Sequence, residues 1–325
     1  MTVRRAAAPA KVNLTLAVSR RRPDGYHDLS TILVRVGLAD RLTARPTGAA
    51  PVKRADAERL DTIGLPTGPS ADNLVLHAAA ALRRHLDRPE PPLAFSLQKV
   101  VPVAAGLGGG SSDAAAAMRV AARVWGTTLD RTARLKVAAT VGSDVPFFAL
   151  GAPAAWATGR GERLTALPAP AGAPACVLAV APHGVGTAAI FEAFDQLEGR
   201  RADAWIRASA VSERLATALR AGLPAAALVG LAGELREAND LWAALLTLRP
   251  EVGRSRAALE ARSGRPWLLS GSGPTLFALY ASLAEAHGAV QELGAWPGGR
   301  RDGVRLIATR LGAAHGRPID TGGTA

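Results

Sequence analysis

The chain has 325 residues, 48% hydrophobic and 20% charged, with a formal net charge of +12 and a mean hydropathy of +0.12; this is the balance of a globular protein of about two domains. No apolar run of the roughly 18 residues a membrane span needs occurs without charges or turn formers, and the single cysteine, Cys176, excludes an internal disulfide and a Cys-based zinc site. The basic N-terminus is interrupted by Lys11 and Asn13, so it does not read as a secretory signal and a cytoplasmic setting is expected.

In chain order, alternating apolar and polar residues predict strands over 11–19 and 29–36, joined by a Pro-Asp-Gly turn over 20–25. Residues 41–69 read as short strands and loops. Asp72 or Asn73 caps a helix to about residue 86, Pro89 and Pro92 break it, and a strand follows over 93–101. A glycine-rich loop leads into an alanine-rich helix to about residue 124, and another helix runs over 130–141. Strand-like pieces are expected at 147–150 and 154–157, and residues 168–174 (PAPAGAP) read as a linker. Beyond it come a buried strand at 176–181, helices at 187–197, 203–221, 225–248 and 251–263, strands at 267–270 and 275–281, a helix at 283–293 and a strand at 304–309. This order suggests an antiparallel α+β layer. Residues 313–325 read as a flexible tail. No internal repeat is present.

The positive charge comes from arginines spread along the whole chain. Lys11, Lys53, Lys99 and Lys136 are the only lysines among 39 basic residues. Abundant arginine, alanine, glycine and proline point to a coding bias rather than a nucleic-acid surface, and no nucleic-acid partner is expected. An anionic ligand still gains from the field. Under such a bias the scarce residues are worth noting: asparagine survives only at Asn13, Asn73 and Asn239, and tyrosine only at Tyr26 and Tyr280.

The most informative stretch is Pro102-Val103-Ala104-Ala105-Gly106-Leu107-Gly108-Gly109-Gly110-Ser111-Ser112-Asp113, set between a strand and a helix. Glycines let the backbone turn with its N–H groups exposed. A helix start adds unpaired donors and partial positive charge, so the pair makes an anion cradle. No lysine follows the glycines, which rules out the GxxxxGK[ST] loop, and Gly106, Gly108 and Ser111 do not complete the dinucleotide G-x-G-x-x-G. Taken alone, the loop could still be a Ser-capped connection.

Three segments in order remove that ambiguity: Ala8-Pro9-Ala10-Lys11-Val12-Asn13-Leu14, the glycine loop, and Leu269-Ser270-Gly271-Ser272-Gly273-Pro274-Thr275. Together they resemble the three motifs of the GHMP superfamily (galactokinase, homoserine kinase, mevalonate kinase, phosphomevalonate kinase). The resemblance runs to about residue 312. It implies an α+β, two-domain architecture: a ribosomal-protein-S5-like N-terminal domain over 1–167 that binds ATP, and a ferredoxin-like C-terminal domain over 175–312 on the substrate side. ATP and substrate would share the cleft between them.

Further segments refine the resemblance. Arg22-Pro23-Asp24-Gly25-Tyr26-His27-Asp28-Leu29 looks like the segment with which a cytidyl-using branch of the superfamily engages cytosine. A tyrosine ring offers a flat face to a base, and a histidine can bond its edge. Gly142-Ser143-Asp144-Val145-Pro146 resembles the segment carrying the proposed catalytic base, with Ser143 where Ala is frequent; the alternative for Asp144 is a helix or turn cap. Asp113 stands where relatives carry Asn or Asp. Asn73 resembles a nucleotide-site residue or is a helix cap, Thr187 a helix cap beside the substrate, and Asn239 a structural brace. The resemblance implies Lys11 and Asp144 as catalytic residues, 102–112 as the ATP loop, and Asn13, Tyr26, His27 and Thr187 as substrate contacts. It implies ATP with Mg²⁺ as cofactors, no protein metal ligands assigned, and a small-molecule cytidyl diphosphate substrate whose 2-hydroxyl is phosphorylated in non-mevalonate isoprenoid synthesis. A monomer or homodimer is expected. Two rivals remain: a sister kinase acting on homoserine, mevalonate or a sugar, which needs no Tyr26–His27 platform, and an RNA-binding S5-like protein using the +12 charge.

Overall fold

The computed structural model describes residues 3–54, 56–197, 203–294 and 303–312; the tail expected at 313–325 lies outside the described residues. The first sheet is built around two long antiparallel strands, β1 (Arg4–Arg21) and β2 (His27–Pro46). Their central stretches are buried almost without interruption, as expected of strands covered on both faces. β2 also pairs with β5 (Ala154–Gly159) along its first half and with β4 (Leu93–Lys99) along its second. β3 (Arg59–Gly64) adds parallel to β4, and β6 (Arg163–Leu167) adds antiparallel to β5, completing six strands. The ladder between β1 and β2 shifts register between Pro9 and Lys11 and between Asn13 and Thr15. Such irregularities re-aim side chains, and here they flank Lys11 and Asn13.

Helices cover one face of this sheet. Asn73 caps α1 (Leu74–Leu86): its side chain accepts from the Val75 N–H at 3.0 Å. Val75, Ala78, Ala79 and Leu82 are buried at helical spacing. α2 (Gly109–Val124) brings Ala114, Ala115, Ala116 and Ala117 fully into the same core; four methyl side chains let it lie close against α1 and β1. α3 (Arg131–Ala139) and α4 (Val145–Leu150) complete the layer.

α4 departs from the sequence expectation, which had a strand at 147–150. A four-residue apolar run is ambiguous between strand and buried helix. Pro146 in the first turn and Gly151, left-handed at φ 85°, decide for a helix. Phe147 and Phe148 are each 1% exposed in the core, a burial worth about 1.5–3 kcal/mol per side chain.

The other face of the sheet packs on the second half of the chain. β10 (Arg305–Arg310), β7 (Ala175–Val180), β9 (Leu276–Tyr280) and β8 (Leu268–Leu269) form an antiparallel four-stranded sheet in that order. α5 (Thr187–Gln196), α6 (Ala204–Arg220), α10 (Pro250–Ser263) and α11 (Leu283–Gly294) follow the expected helices. The helix expected over 225–248 is three pieces, α7 (Ala225–Gly230), α8 (Ala232–Arg236) and α9 (Trp242–Leu248). The break between α8 and α9 is where Ala238 and Asp240 bond the backbone of Leu16. A continuous core joins Val12, Leu14, Ile32 and Val34 of the first sheet to Leu178, Leu215, Leu219 and Phe277 of the second half. The segment 168–174 is accordingly not a loose tether: Ala171 bonds Leu223, and the Pro174 carbonyl accepts from Leu311.

Candidate active site

A cleft of about 1350 Å³ opens between the two halves. Lys11, Asn13, Tyr26, His27, Pro102, Val103, Ala104, Ala105, Gly106, Gly108, Gly109, Gly110, Ser111, Asp144 and Thr187 all line it. Of the expected site residues, Leu107 and Ser112 stand behind the wall: Leu107 is wholly buried and its carbonyl accepts from the Lys11 N–H at 2.9 Å, while Ser112 is 1% exposed.

The loop's shape depends on two glycines. Gly106 has φ 75°, and a Cβ there would lie 2.2 Å from the Ser270 carbonyl oxygen, so the second and third motifs meet at a contact only glycine permits. The Ser270 hydroxyl also donates to the Gly106 carbonyl at 2.9 Å. Gly108, left-handed at φ 67°, is the residue from which α2 begins, and a Cβ on it would press on the Lys11 stem and the Phe148 ring. Ala104 holds φ 52° without being glycine, local strain of the kind that collects at ligand loops.

Lys11 and Asn13 sit two residues apart on β1 and share one face. Lys11 Nζ donates to Asn13 Oδ1 at 2.5 Å and lies 3.7 Å from Asp144 Oδ2. Asn13 is fixed in turn, donating to Thr31 Oγ1 at 2.8 Å, and that hydroxyl donates to the Thr15 carbonyl at 2.6 Å. Burial pulls the Lys11 ammonium below the usual lysine range, and Asp144 pushes it back up. Asp144 precedes α4 but makes no capping bond, and its side chain is 40% exposed toward the cleft. Asp144 thus occupies the cap position of α4 without capping it through its side chain, and its carboxylate is open to a ligand.

Tyr26 and His27 have different surroundings. Tyr26 is 55% exposed at the cleft wall, with the Arg160 guanidinium 4.8 Å from its ring centre. His27 is buried between Phe191 and Phe194, with ring centres at 5.3 and 5.7 Å. Its Nδ1 lies 3.0 Å from the Ser19 carbonyl, which can only accept, so Nδ1 carries a proton; Nε2 faces Asp195 Oδ1 at 3.4 Å. Thr187 is the first residue of α5 rather than its cap, which is Gly186, and its hydroxyl lies 3.2 Å from Ser272 Oγ. Asn239 braces the third motif, donating to the Leu269 and Gly271 carbonyls at 3.0 Å each.

Sequence reasoning passed over Lys99, Arg21, Phe191 and Asp195, all of which line the cleft. The scarcity of lysine was a signal for Lys99, since two of the four lysines, Lys11 and Lys99, stand here. Nothing in the local sequence marks Phe191 or Asp195, which look like ordinary residues of an amphipathic helix.

Residues 73–152 match the family model described as the GHMP kinases N terminal domain. The chain is 40% identical over 294 residues to a 4-diphosphocytidyl-2-C-methyl-D-erythritol kinase of Salinispora arenicola, covering 90% of this chain and 88% of that protein. It is 38% identical over 313 residues to the protein of that name from Streptomyces coelicolor, covering 96% and 97%. A crystal structure of 4-(cytidine 5'-diphospho)-2C-methyl-D-erythritol kinase superposes with TM-score 0.69 at 31% identity, covering 96% of this chain and 100% of the other. A mevalonate kinase shares the fold, with TM-score 0.63 at 12% identity over 96% of this chain and 99% of the other.

Proposed function

Because the chain belongs to the 4-diphosphocytidyl-2-C-methyl-D-erythritol kinase family of the GHMP kinases, we propose that it transfers the γ-phosphoryl group of ATP to the 2-hydroxyl of 4-diphosphocytidyl-2-C-methyl-D-erythritol, a step of non-mevalonate isoprenoid synthesis. The observation that carries the reading is the 3.7 Å approach of Lys11 Nζ to Asp144 Oδ2, in one cleft with the glycine loop and Tyr26.

The roles follow from the surroundings. The glycine loop and the start of α2, whose first N–H groups have no partner within the helix and carry a partial positive charge of about half a unit, hold the ATP phosphates. Asp144 orients the acceptor hydroxyl and takes its proton as the oxygen–phosphorus bond forms and the bond to ADP breaks. Lys11, held by Asn13, stabilises charge on the oxygen and on the phosphoryl group in transfer. Most of the acceleration comes from positioning and neutralised charge. Tyr26 gives the cytosine a flat apolar face, and His27 shapes the pocket behind it. Thr187 borders the substrate. Among the described residues no group of three or more His, Cys, Asp or Glu side chains is placed to hold a metal ion. Mg²⁺ arriving with ATP would supply charge neutralisation at the phosphates. Among the described residues no helix is long and apolar enough to cross a membrane.

The test is a coupled assay of ADP release with 4-diphosphocytidyl-2-C-methyl-D-erythritol, homoserine and mevalonate as alternative acceptors. Turnover with the cytidyl compound alone, inhibited by CDP, is the expected outcome. Turnover with either of the other acceptors and indifference to CDP would move the chain to a sister kinase.

A further inference from the structure

Lys11, Arg21, Lys99 and Arg160 bring positive charge to the wall of the cleft. Carboxylates meet the first three. Lys11 lies 3.7 Å from Asp144, and Arg21 lies 3.7 Å from Asp195. Lys99, at the end of β4, is ion-paired with Asp40 of β2 and lies 3.1 Å from Asp113 of α2, all three side chains being buried. Among the described residues no carboxylate pairs with the Arg160 guanidinium. It rests instead over the Tyr26 ring, 4.8 Å from the ring centre.

The turn between β5 and β6 carries Arg160. Glu162, the carboxylate of that turn, folds back on it, accepting from the Arg160 backbone N–H at 2.6 Å and lying 3.8 Å from Arg163. It is spent on the backbone and on its neighbour, and the Arg160 side chain stays exposed. β5 also joins the two ends of the cleft. Ala157 is level with Thr31, whose hydroxyl accepts from Asn13 beside Lys11. Gly159 is level with Leu29, next but one to His27. Arg160 therefore stands at the Tyr26 end, on the strand that leads back to the reacting centre.

A cytidine diphosphate with its base on Tyr26 carries its phosphates one ribose further on, between that platform and the acceptor hydroxyl. Phosphate oxygens call for a counter-charge, and the planar fork of an arginine suits them. At Lys11, Arg21 or Lys99 an incoming anion would meet a carboxylate as well as the cation. At Arg160 it meets the cation alone. We propose that Arg160 binds the diphosphate of the cytidyl substrate, so that one wall of the cleft reads both base and phosphates. The Tyr26 ring serves both partners. One face steadies the guanidinium, and at 55% exposure the residue has its second face to offer the base. The proposal rests on the kinase reading for the identity of the ligand.

The experiment is calorimetric titration of the full chain with CDP, without ATP or Mg²⁺, with cytidine measured by its displacement of CDP. The wild type should bind CDP about tenfold or more tightly than cytidine. Arg160→Met keeps an apolar arm over Tyr26 and removes the charge. Its dissociation constant for CDP should rise about tenfold to thirtyfold, the lower range for bonds to a charged group, while that for cytidine stays within about twofold. Arg160→Lys, which keeps the charge without the fork, should fall between the two. Added salt gives a second reading, because it screens an exposed ion pair: it should weaken CDP binding to the wild type more than to Arg160→Met. The side chain is exposed on a turn, so the fold should not feel either substitution. An equal loss of CDP and cytidine in Arg160→Met would make Arg160 a mere support for Tyr26 and overturn the proposal, as would an unchanged CDP constant; either result leaves the kinase assignment intact. A wild-type chain that binds neither ligand overturns both.

Discussion

Lys11 and Arg35 are register partners across the two central strands, and each holds one end of the same short helix. Lys11 reaches Asp144, the residue before α4, while the Arg35 guanidinium donates to the carbonyls of Phe148 at 2.8 Å and Phe147 at 3.4 Å near the helix's end. The proposed base is thus positioned by two neighbouring cations of one ladder, and α4 is fixed to the sheet that also carries the charge-stabilising lysine. A cation at a helix C-terminus is favoured by the backbone dipole. Burial, with repulsion from Arg119, lowers the Arg35 guanidinium to about 10, which leaves it charged at neutral pH.

Replacing Arg35 by Met should therefore cost more than one hydrogen bond. The substitution strands the Phe147 and Phe148 carbonyls in the core, and bonds from a charged donor are worth about 1.5–3 kcal/mol each. We expect a clearly lowered unfolding temperature and a lower kcat at temperatures where the variant is still folded. A variant with wild-type stability and kcat would show that α4 holds its place without Arg35.

Asp144→Asn should reduce kcat by roughly 10² to 10⁴ while ATP affinity stays close to wild type. The carboxylate is partly exposed and makes no cap bond, so the fold should not feel the change. Steady-state kinetics with calorimetry of ATP binding separates the two quantities. Near-normal turnover would remove Asp144 from the role of base.

The pH profile of kcat carries a signature of Lys11. Its ammonium is lowered by burial and raised by Asp144, so it should deprotonate below the ordinary lysine range and give kcat an alkaline limb. In Asp144→Asn the raising partner is gone, and the limb should move toward neutral pH. The unfolded chain holds the proton up to the usual lysine value, so over that window this group's contribution to stability increases with pH. A limb that stays in place when Asp144 is neutralised would assign it to another group.

Tyr26→Ala should raise the Michaelis constant for the cytidyl substrate by about tenfold, leaving that for ATP unchanged. The ring is more than half exposed, so its removal leaves no cavity and the test is free of folding effects. Equal KM values in the two proteins would contradict stacking on Tyr26.

How much of this was legible in the chain differs from part to part. The phosphate loop, Lys11, Asn13, Tyr26 and Asp144 stand in short motifs whose glycines and charges have local backbone meaning, and all of them line one cleft. The run 147–150 misled, because four apolar residues fit a buried strand or a buried helix, and only Pro146 and Gly151 separate the two. PAPAGAP looked like a free linker because composition does not reveal that Ala171 and Pro174 bond to distant backbone.

What the sequence determined by itself is therefore the set of local chemistries: an anion-binding turn at the start of a helix, an acid and an ammonium, and an exposed aromatic ring. What tertiary structure decided is which charges share a low-dielectric space. Asp40, Lys99 and Asp113 are ordinary residues of two strands and a helix until the fold buries them together. His27 acquires Asp195 and two phenylalanines only when α5 packs against the turn. Burial and electrostatic coupling depend on distance through space and on excluded water, and neither quantity is written in the order of residues along the chain.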